Sequence, residues 1–141
     1  GGIGKMLLAS NAGHGMIVDM QSAIAQTRSG KQVLNLGAGG KAVICVPAKG
    51  DMVAVVGQNR RLLVFALSEL PEMTRGKGVI LQRYRDGELA DIKVFESEAG
   101  LTWQMGGGRT RTETDLLTWT GKRGSAGKLP PTGFPRPARF T

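Results

Sequence analysis

Three short segments of the chain combine glycine with arginine or lysine, and they are the residues best suited to chemistry. They are residues 27–34 (TRSGKQVL), 74–81 (TRGKGVIL) and 122–128 (KRGSAGK), named here the first, second and third basic loops. Glycine lets the backbone turn through positive φ and leaves N–H groups exposed, and the cationic side chains beside it reach a phosphate. One such loop alone would more simply be a solvated turn. Recurrence in equivalent positions is what favours phosphate binding.

The basic loops recur at a nearly constant spacing. The first two are 47 residues apart, from Thr27 to Thr74, and Arg75 is followed 48 residues later by Arg123. Similar pairs of apolar runs precede the loops: LLASN with MIV, VVGQN with LLV, and LTWQM with Leu116-Leu117. A four-stranded unit of about 40 to 50 residues has the size of a propeller blade, which stacks on its neighbours because it cannot bury its faces alone.

Short runs of Val, Ile and Leu between the glycines predict strands rather than helices. They cover residues 6–9, 42–46, 52–56, 62–67, 79–81 and 92–95, bounded by Gly, Asn, Asp or Pro. The best helix candidate, 112–119, has only a weak capping box. The sequence therefore predicts an all-β, propeller-like fragment of about three four-stranded blades.

The expected units follow the repeat. They are blade repeats at residues 1–50 and 51–100, a degenerate repeat at 101–128, and a Pro-rich basic tail at 129–141. We expect the tail to be extended and partly disordered, with Phe134 and Phe140 pinning it across a neighbouring blade.

The charge is high and unevenly distributed. The chain carries a net charge of +8 and a sequence pI of about 10.3. Residues 1–50 have five Lys/Arg against one acid, residues 51–100 seven against eight, and residues 101–141 seven against two. Such a surplus suits nucleic acid or another anionic partner. The periodic loops favour duplex DNA held by its phosphates, and an aromatic content of 5% argues against a single-strand stacking platform.

Common catalytic and metal sites lack their residues. His14 is the only histidine and Cys45 the only cysteine, so neither a His-based metal cluster nor a Ser-His-Asp triad can be assembled. Residues 121–128 resemble a nucleotide-binding loop, but five residues separate its outer glycines and Leu129 replaces the required Ser or Thr. We expect no catalytic residue, metal or cofactor in this chain. The lone cysteine fits a reducing cytoplasm, and no apolar stretch is long enough to insert into a membrane.

The basic loops also resemble those of a known family. QTRSGKQ at residues 26–32 resembles a degenerate Gln-Arg-Arg-Gly-Gly-Lys-Gly box of the gyrase A subunit. MTRGKGV at 73–79, with the run to Tyr84, resembles the blade loops of the topoisomerase IV A subunit (ParC). The resemblance spans nearly the whole chain, and the lack of an intact gyrase box favours topoisomerase IV. It implies a β-pinwheel, propeller-like with strands exchanged between blades, that bends duplex DNA and presents it to a catalytic core.

The resemblance also assigns residues and partners. The cations that it places on DNA are Arg28, Lys31, Arg75, Lys77, Arg123 and Lys128, followed by Arg60, Arg61, Arg109 and Arg111. Strand cleavage, ATP and Mg²⁺ would belong to other domains and to the ATPase subunit (ParE), in a heterotetramer on the bacterial nucleoid. Tyr84 lacks the context of the cleaving tyrosine. Two alternatives stay open: a DNA-wrapping domain of the gyrase A subunit, and a protein-interaction scaffold that docks through the acidic stretch at residues 86–98.

Overall fold

The computed structural model describes residues 4–10, 12–19, 42–73, 78–84, 87–131, 133–135 and 138–140. In these ranges the chain forms nine β-strands and three 3₁₀ turns, and no α-helix. The strands are β1 Lys5–Ser10, β2 His14–Asp19, β3 Ala42–Pro47, β4 Met52–Gly57, β5 Leu62–Ala66, β6 Val79–Ile80, β7 Leu89–Phe95, β8 Leu101–Gln104 and β9 Thr110–Glu113. The 3₁₀ turns are Leu67–Glu69, Gly106–Gly108 and Leu117–Trp119. The all-β prediction is confirmed.

The strands form three antiparallel sheets that repeat one plan. Their orders are β3-β1-β2-β6, β5-β4-β7 and β8-β9. Each sheet contains a hairpin of two consecutive strands, with Leu8 opposite Met16 in the first and Val55 opposite Leu63 in the second. The strands β3 and β7 then join the free edges of β1 and β4 in the same way. The sequence repeat is thus a repeat of strand pairing.

In the first two sheets, residues of the following repeat complete the outer edge of the hairpin's second strand. Each such edge receives one antiparallel and one parallel pairing. The pairs are His14–Ile80 and Ile17–Glu72 on β2, and Leu62–Lys128 and Val64–Thr120 on β5. Each residue of the β2 pairs has its equivalent in the β5 pairs 47 or 48 residues later in the chain, which is the spacing of the basic loops. Neighbouring sheets therefore exchange strands, as the family resemblance implies.

The second sheet is buried on both faces. Along β4, Val53 and Val55 pack with residues of the first sheet, whereas Ala54 and Val56 pack with residues of the third. All four have no exposed surface. Because alternate residues of a strand point to opposite faces, a strand between two sheets needs an unbroken apolar run, and β4 has one. Full burial of each valine contributes about 1.5–3 kcal/mol.

The C-terminal tail completes the third sheet. Gln104 of β8 donates its backbone N–H to the carbonyl of Phe140 (3.0 Å), so the tail takes on β8 the place that β7 takes on β4. The ring centroid of Phe134 lies 5.4 Å from that of Trp103 and 5.7 Å from that of Phe140. Both phenylalanines are buried. The predicted anchoring of the tail by these two residues is confirmed.

The second strand of the third repeat is not where the sequence predicts it. Leu116-Leu117 forms no strand: β9 pairs with β8 instead, and Leu117 is 81% exposed in a 3₁₀ turn. Residues of β9 alternate between exposed and partly buried. A strand without two buried faces needs no apolar run, so hydrophobicity gave no signal for it. The helix predicted at residues 112–119 is also wrong, because this region contains the end of β9 and a 3₁₀ turn.

Alanine at position 127 tests the contact between the third basic loop and β5. Gly127 has φ +81°, and a Cβ there would lie 2.6 Å from the carbonyl oxygen of Leu62. Gly107 has φ +74°, but nothing lies within 4 Å of its Cβ position, so it is the matched control. We expect Gly107→Ala to lower the free energy of unfolding by about 1–2 kcal/mol through backbone strain, and Gly127→Ala by at least about 1 kcal/mol more. Urea unfolding measures both; equal losses would contradict the contact.

Candidate nucleic-acid interface

The second and third basic loops begin and end on the outer edges of β2 and β5. Glu72, which precedes the second loop, and Ile80, near its end, both pair with β2. Thr120 and Lys128, which flank or end the third loop, both pair with β5. Two attachment points on one strand hold each loop at an equivalent place on neighbouring sheets. Residues 74–77 of the second loop, like the whole of the first loop, lie outside the described residues.

A tight turn shapes the third basic loop. The N–H of Ser125 donates to the carbonyl of Lys122 (3.1 Å), and Gly124 has the positive φ of +87° that a type II turn requires at this position. The loop rests on the segment that follows β6. Gly124 N–H donates to the Leu81 carbonyl (2.9 Å), and Arg83 N–H donates to the Ser125 carbonyl (3.1 Å). The backbone of the loop is therefore fixed while the Lys122 side chain stays exposed.

Arg123 is bound to the chain from both its backbone and its guanidinium. Its N–H donates to Oε1 of Glu69 (3.0 Å), Nε donates to the Glu69 carbonyl (3.0 Å), and a terminal nitrogen donates to the Ile80 carbonyl (2.8 Å). A guanidinium has five N–H donors, so these bonds leave capacity for a phosphate. Arg123 supplies a fixed positive charge at the base of the loop, and its contact with DNA stays a prediction.

Four exposed cations surround the third basic loop, and we call them the third-loop cationic surface: Arg61, Arg83, Lys122 and Lys128. Arg61 directly precedes the residue that pairs with Lys128. Arg83 joins the group through the bond of its N–H to Ser125. The sequence singled out Arg61 and Lys128 as DNA contacts, whereas Arg83 and Lys122 are additional members. Pairing between distant segments brings Arg83 here, and no local pattern reveals it.

Arg60 clamps the C-terminal tail. Its guanidinium donates to the carbonyls of Pro135 (2.7 Å) and Phe134 (3.1 Å), and Cζ lies 5.9 Å from the Phe134 ring centroid. Its φ of +66° is the only positive value for a non-glycine among the described residues. Gly13 and Gly108 hold this hairpin-turn position in the other repeats, with φ +87° and +76°. These contacts assign Arg60 a role within the fold, and its contact with DNA stays a prediction.

The arginines of the third hairpin differ in their surroundings. Arg111 forms an ion pair with Glu113 (3.3 Å), and its Cζ lies 5.8 Å from the Trp103 ring centroid. Arg109 is exposed after the glycine turn, and its carbonyl accepts the Met105 N–H (2.7 Å). Four further predicted contacts lie outside the described residues and stay predictions: Arg28, Lys31, Arg75 and Lys77.

Positive and negative charge occupy different sides of the second sheet. The third-loop cationic surface lies at the β5 edge, whereas an open cavity of about 320 Å³ lies at the end of the sheet where β4 begins and β7 ends. Its acidic lining residues are Asp51, Glu96 and Glu98. Ser97 donates its N–H and its hydroxyl to Asp51 (both 2.7 Å), and these bonds hold the pKa of that carboxyl below its usual value. The electrostatic field favours a polyanion at the β5 edge and disfavours one at the acidic cavity.

Tyr84 packs between the hairpin turns of the first two sheets. Cβ atoms on Gly13 and Gly57 would lie 2.7 and 2.6 Å from its ring. Its hydroxyl is buried and has no hydrogen-bond partner among the described residues. Burial raises the pKa of this phenol well above its ordinary value. The Tyr84 side chain is thus neutral and packed between the two sheets.

Neither a metal site nor a membrane span is found in the described ranges. No group of three or more His, Cys, Asp and Glu side chains there is placed to hold a metal ion. No helix of that part of the chain is long and apolar enough to cross a membrane.

Known proteins share this arrangement. The family model described as DNA gyrase C-terminal domain, beta-propeller, matches residues 51–90. The A subunits of DNA topoisomerase 4 from Rickettsia bellii and from Caulobacter vibrioides are each 47% identical over 136 residues, covering 96% of this chain and 18% of the relative. The structure of the E. coli ParC C-terminal domain superimposes with a TM-score of 0.75 at 27% identity, covering 92% of this chain and 56% of that one. This chain therefore spans about a fifth of the curated relatives.

Strand exchange, repeat period and these likenesses define a β-pinwheel of the type II topoisomerase A subunits. The chain belongs to the family of C-terminal domains of topoisomerase IV and gyrase A subunits. The resemblance to the topoisomerase IV branch is confirmed.

Alkaline titration of the chain tests the position of Tyr84. It is the only tyrosine, so the absorbance of tyrosinate reports it alone. Folding raises the pKa of Tyr84. The stability contributed by its burial is therefore fully present below about pH 10, the pKa of an exposed tyrosine, and is lost as the pH rises further. We expect ionisation well above pH 10 in the folded chain, together with unfolding, and near pH 10 in concentrated guanidinium chloride. Reversible ionisation near pH 10 in the folded chain would show that Tyr84 is not enclosed.

Two neighbouring arginines give a matched test of the tail clamp. Arg60→Ala removes two charge-assisted bonds and keeps the left-handed backbone, so we expect a loss of about 1.5–3 kcal/mol in the free energy of unfolding. Arg60→Gly loses the same bonds but relieves the backbone, so it costs about 1 kcal/mol less. Arg61→Ala, at an exposed side chain, should change the value by no more than about 0.5 kcal/mol. Similar urea unfolding of the Arg60→Ala and Arg61→Ala variants would rule out the clamp.

Proposed function

We propose that this chain holds duplex DNA by its phosphates along the outer edges of its sheets and leaves strand cleavage to other parts of the full subunit. The observation that carries the proposal is the third basic loop. Its backbone is fixed to β5 and to the segment after β6, while four exposed cations surround it. Cations held on a fixed backbone can neutralise phosphates without an ordering cost at each contact.

Because the basic loop recurs on successive sheets, we propose that the duplex contacts several loops in a row and not one loop alone. The second loop attaches to β2 as the third attaches to β5, 48 residues later at the His14–Ile80 and Leu62–Lys128 pairs. Arg123 contacts the Ile80 carbonyl, so the third loop lies against the end of the second. Adjacent loops on successive sheets form a row of positive charge, which suits a duplex that follows the edge. Such contacts carry no base readout, so binding is tolerant of sequence.

The relatives named above support a proposal for the role in the cell. We propose that the domain bends duplex DNA and presents it to the catalytic core of an ATP-dependent type II topoisomerase, for decatenation and supercoil relaxation in chromosome segregation. ATP and Mg²⁺ would be used by other domains and by the ATPase subunit (ParE), in a heterotetramer in the cytoplasm. The topoisomerase IV relatives at 47% identity favour this role over DNA wrapping by gyrase.

A salt titration of duplex binding tests the proposal. The logarithm of the binding constant should fall linearly with the logarithm of the salt concentration, with a slope of about −0.9 for each phosphate neutralised. The triple variant Arg61→Gln, Lys122→Gln, Lys128→Gln should bind every duplex sequence more weakly. Its slope should be shallower by about 0.9 for each phosphate that is no longer neutralised. Fluorescence anisotropy of labelled duplexes gives both quantities.

Lys49→Gln is the matched control for charge. Lys49 is exposed and follows β3, at the opposite edge of the first sheet from β6, beside the acidic cavity. Its neutralisation should leave the slope unchanged. Absence of duplex binding at low salt would overturn the proposal in favour of a protein-interaction scaffold, and a changed sequence preference in the triple variant would replace phosphate contacts by base readout.

A further inference from the structure

Gln82 is a buried polar side chain directly beneath the third-loop cationic surface. It is 1% exposed. Its Nε2 donates to the carbonyl of Arg61 (2.8 Å) and to the carbonyl of Ala126 (3.0 Å). Its Oε1 has no hydrogen-bond partner within the described part of the chain. A single amide thus joins two segments that each carry cations.

The orientation of this amide follows from its two partners. Both are carbonyl oxygens, and only the NH₂ end of a glutamine supplies two donors. The reversed amide would place Oε1 against two other oxygens, which is unfavourable, so the assignment of nitrogen is chemically determined. The bonds join the hairpin turn before β5, which carries Arg61, to the third basic loop, which carries Lys122 and Lys128.

The surroundings of Gln82 make room for these two bonds. A Cβ at Gly127 would lie 2.9 Å from Nε2 of Gln82, so the glycine next to Ala126 leaves the amide its space. On either side of Gln82, Leu81 accepts a backbone bond from the loop and Arg83 donates one to it. The segment 81–83 therefore meets the loop through its backbone and reaches Arg61 through the Gln82 side chain.

We propose that Gln82 is a positioning residue for DNA binding, which fixes the spacing between Arg61 on one side and Arg83, Lys122 and Lys128 on the other. The proposal rests on the proposed function. Gln82 touches no phosphate itself. It holds two cationic segments in the arrangement in which they contact neighbouring phosphates together, so that DNA does not have to order them on binding.

The test is the salt dependence of duplex binding by the 141-residue chain carrying Gln82→Leu. Leucine has a side chain of similar size that is apolar, so it removes both donors. We expect weaker binding by about tenfold at low salt and a slope shallower by about 1–2. The Leu62–Lys128 backbone bonds still join the two segments, but without the amide the cations beside this pair are held less firmly and neutralise fewer phosphates. Gln104→Leu is the control, since Gln104 is exposed on β8 in the third sheet, and it should bind as the unmodified chain does.

A second comparison separates positioning from a purely structural effect. In a chain that already carries Arg61→Gln and Lys128→Gln, Gln82→Leu should change the slope no further, because Arg61, the cation on one side of the spacing that Gln82 fixes, is gone. An additional change of the same size there would overturn the proposal. An unchanged slope for Gln82→Leu in the otherwise unmodified chain would overturn it as well, while leaving phosphate binding intact. Failure of the unmodified chain to bind duplex DNA would instead refute the proposed function.

A measurement on the unmodified chain keeps the proposal testable if Gln82→Leu does not fold. The two carboxamide protons of Gln82 should give separate NMR signals, exchange slowly with water, and shift when duplex DNA is added. Rapid exchange, or carboxamide signals that DNA leaves unchanged while the signals of Arg61 and Lys128 shift, would overturn it.

Discussion

The exchange of strands between successive sheets is the constraint on which the rest of the structure depends. A two-stranded hairpin leaves the outer edge of its second strand unpaired, and such an edge is free to bind other chains. Here the following repeat closes it, at His14–Ile80 in the first sheet and at Leu62–Lys128 in the second. Because a parallel bridge accompanies each of these pairs, the residues between them are held at both ends. The third basic loop lies in the second of these intervals, so the pairing that closes the β5 edge also presents the exposed side chains of Lys122 and Lys128 beside it.

The same exchange decides which cations are left exposed. Lys128 lies on the exchanged segment itself, and its backbone is paired while its side chain is exposed. Arg123 contributes its guanidinium partly to the junction between repeats, since it binds Glu69 and Ile80. Arg60 binds the tail through its guanidinium, and its backbone adopts the left-handed conformation. Positive charge in the sequence is therefore divided between side chains that bind the chain itself and side chains that stay exposed, and only the structure separates the two groups.

Much of the fold could be predicted from the sequence, because period and apolar runs are local signals. The 47- to 48-residue spacing of the loops became the spacing of the exchanged pairs, and the unbroken run of β4 marked a sheet buried on both faces. The prediction failed at β9, where one-sided packing removes the apolar signal. The site was predicted less completely. Arg83 and Gln82 act through pairing with residues about 40 positions away, and no spacing in the sequence encodes such contacts.

The path of the duplex is the central claim, and NMR chemical-shift mapping with a short duplex tests it most directly. We expect the largest backbone shifts in the third basic loop and at Arg61 and Arg83; they should diminish as salt is added and should not depend on the duplex sequence. Signals of residues 96–99 and 49–51, at and beside the acidic cavity where β4 begins and β7 ends, should stay in place. Large shifts at that cavity, with none in the third basic loop, would contradict this path.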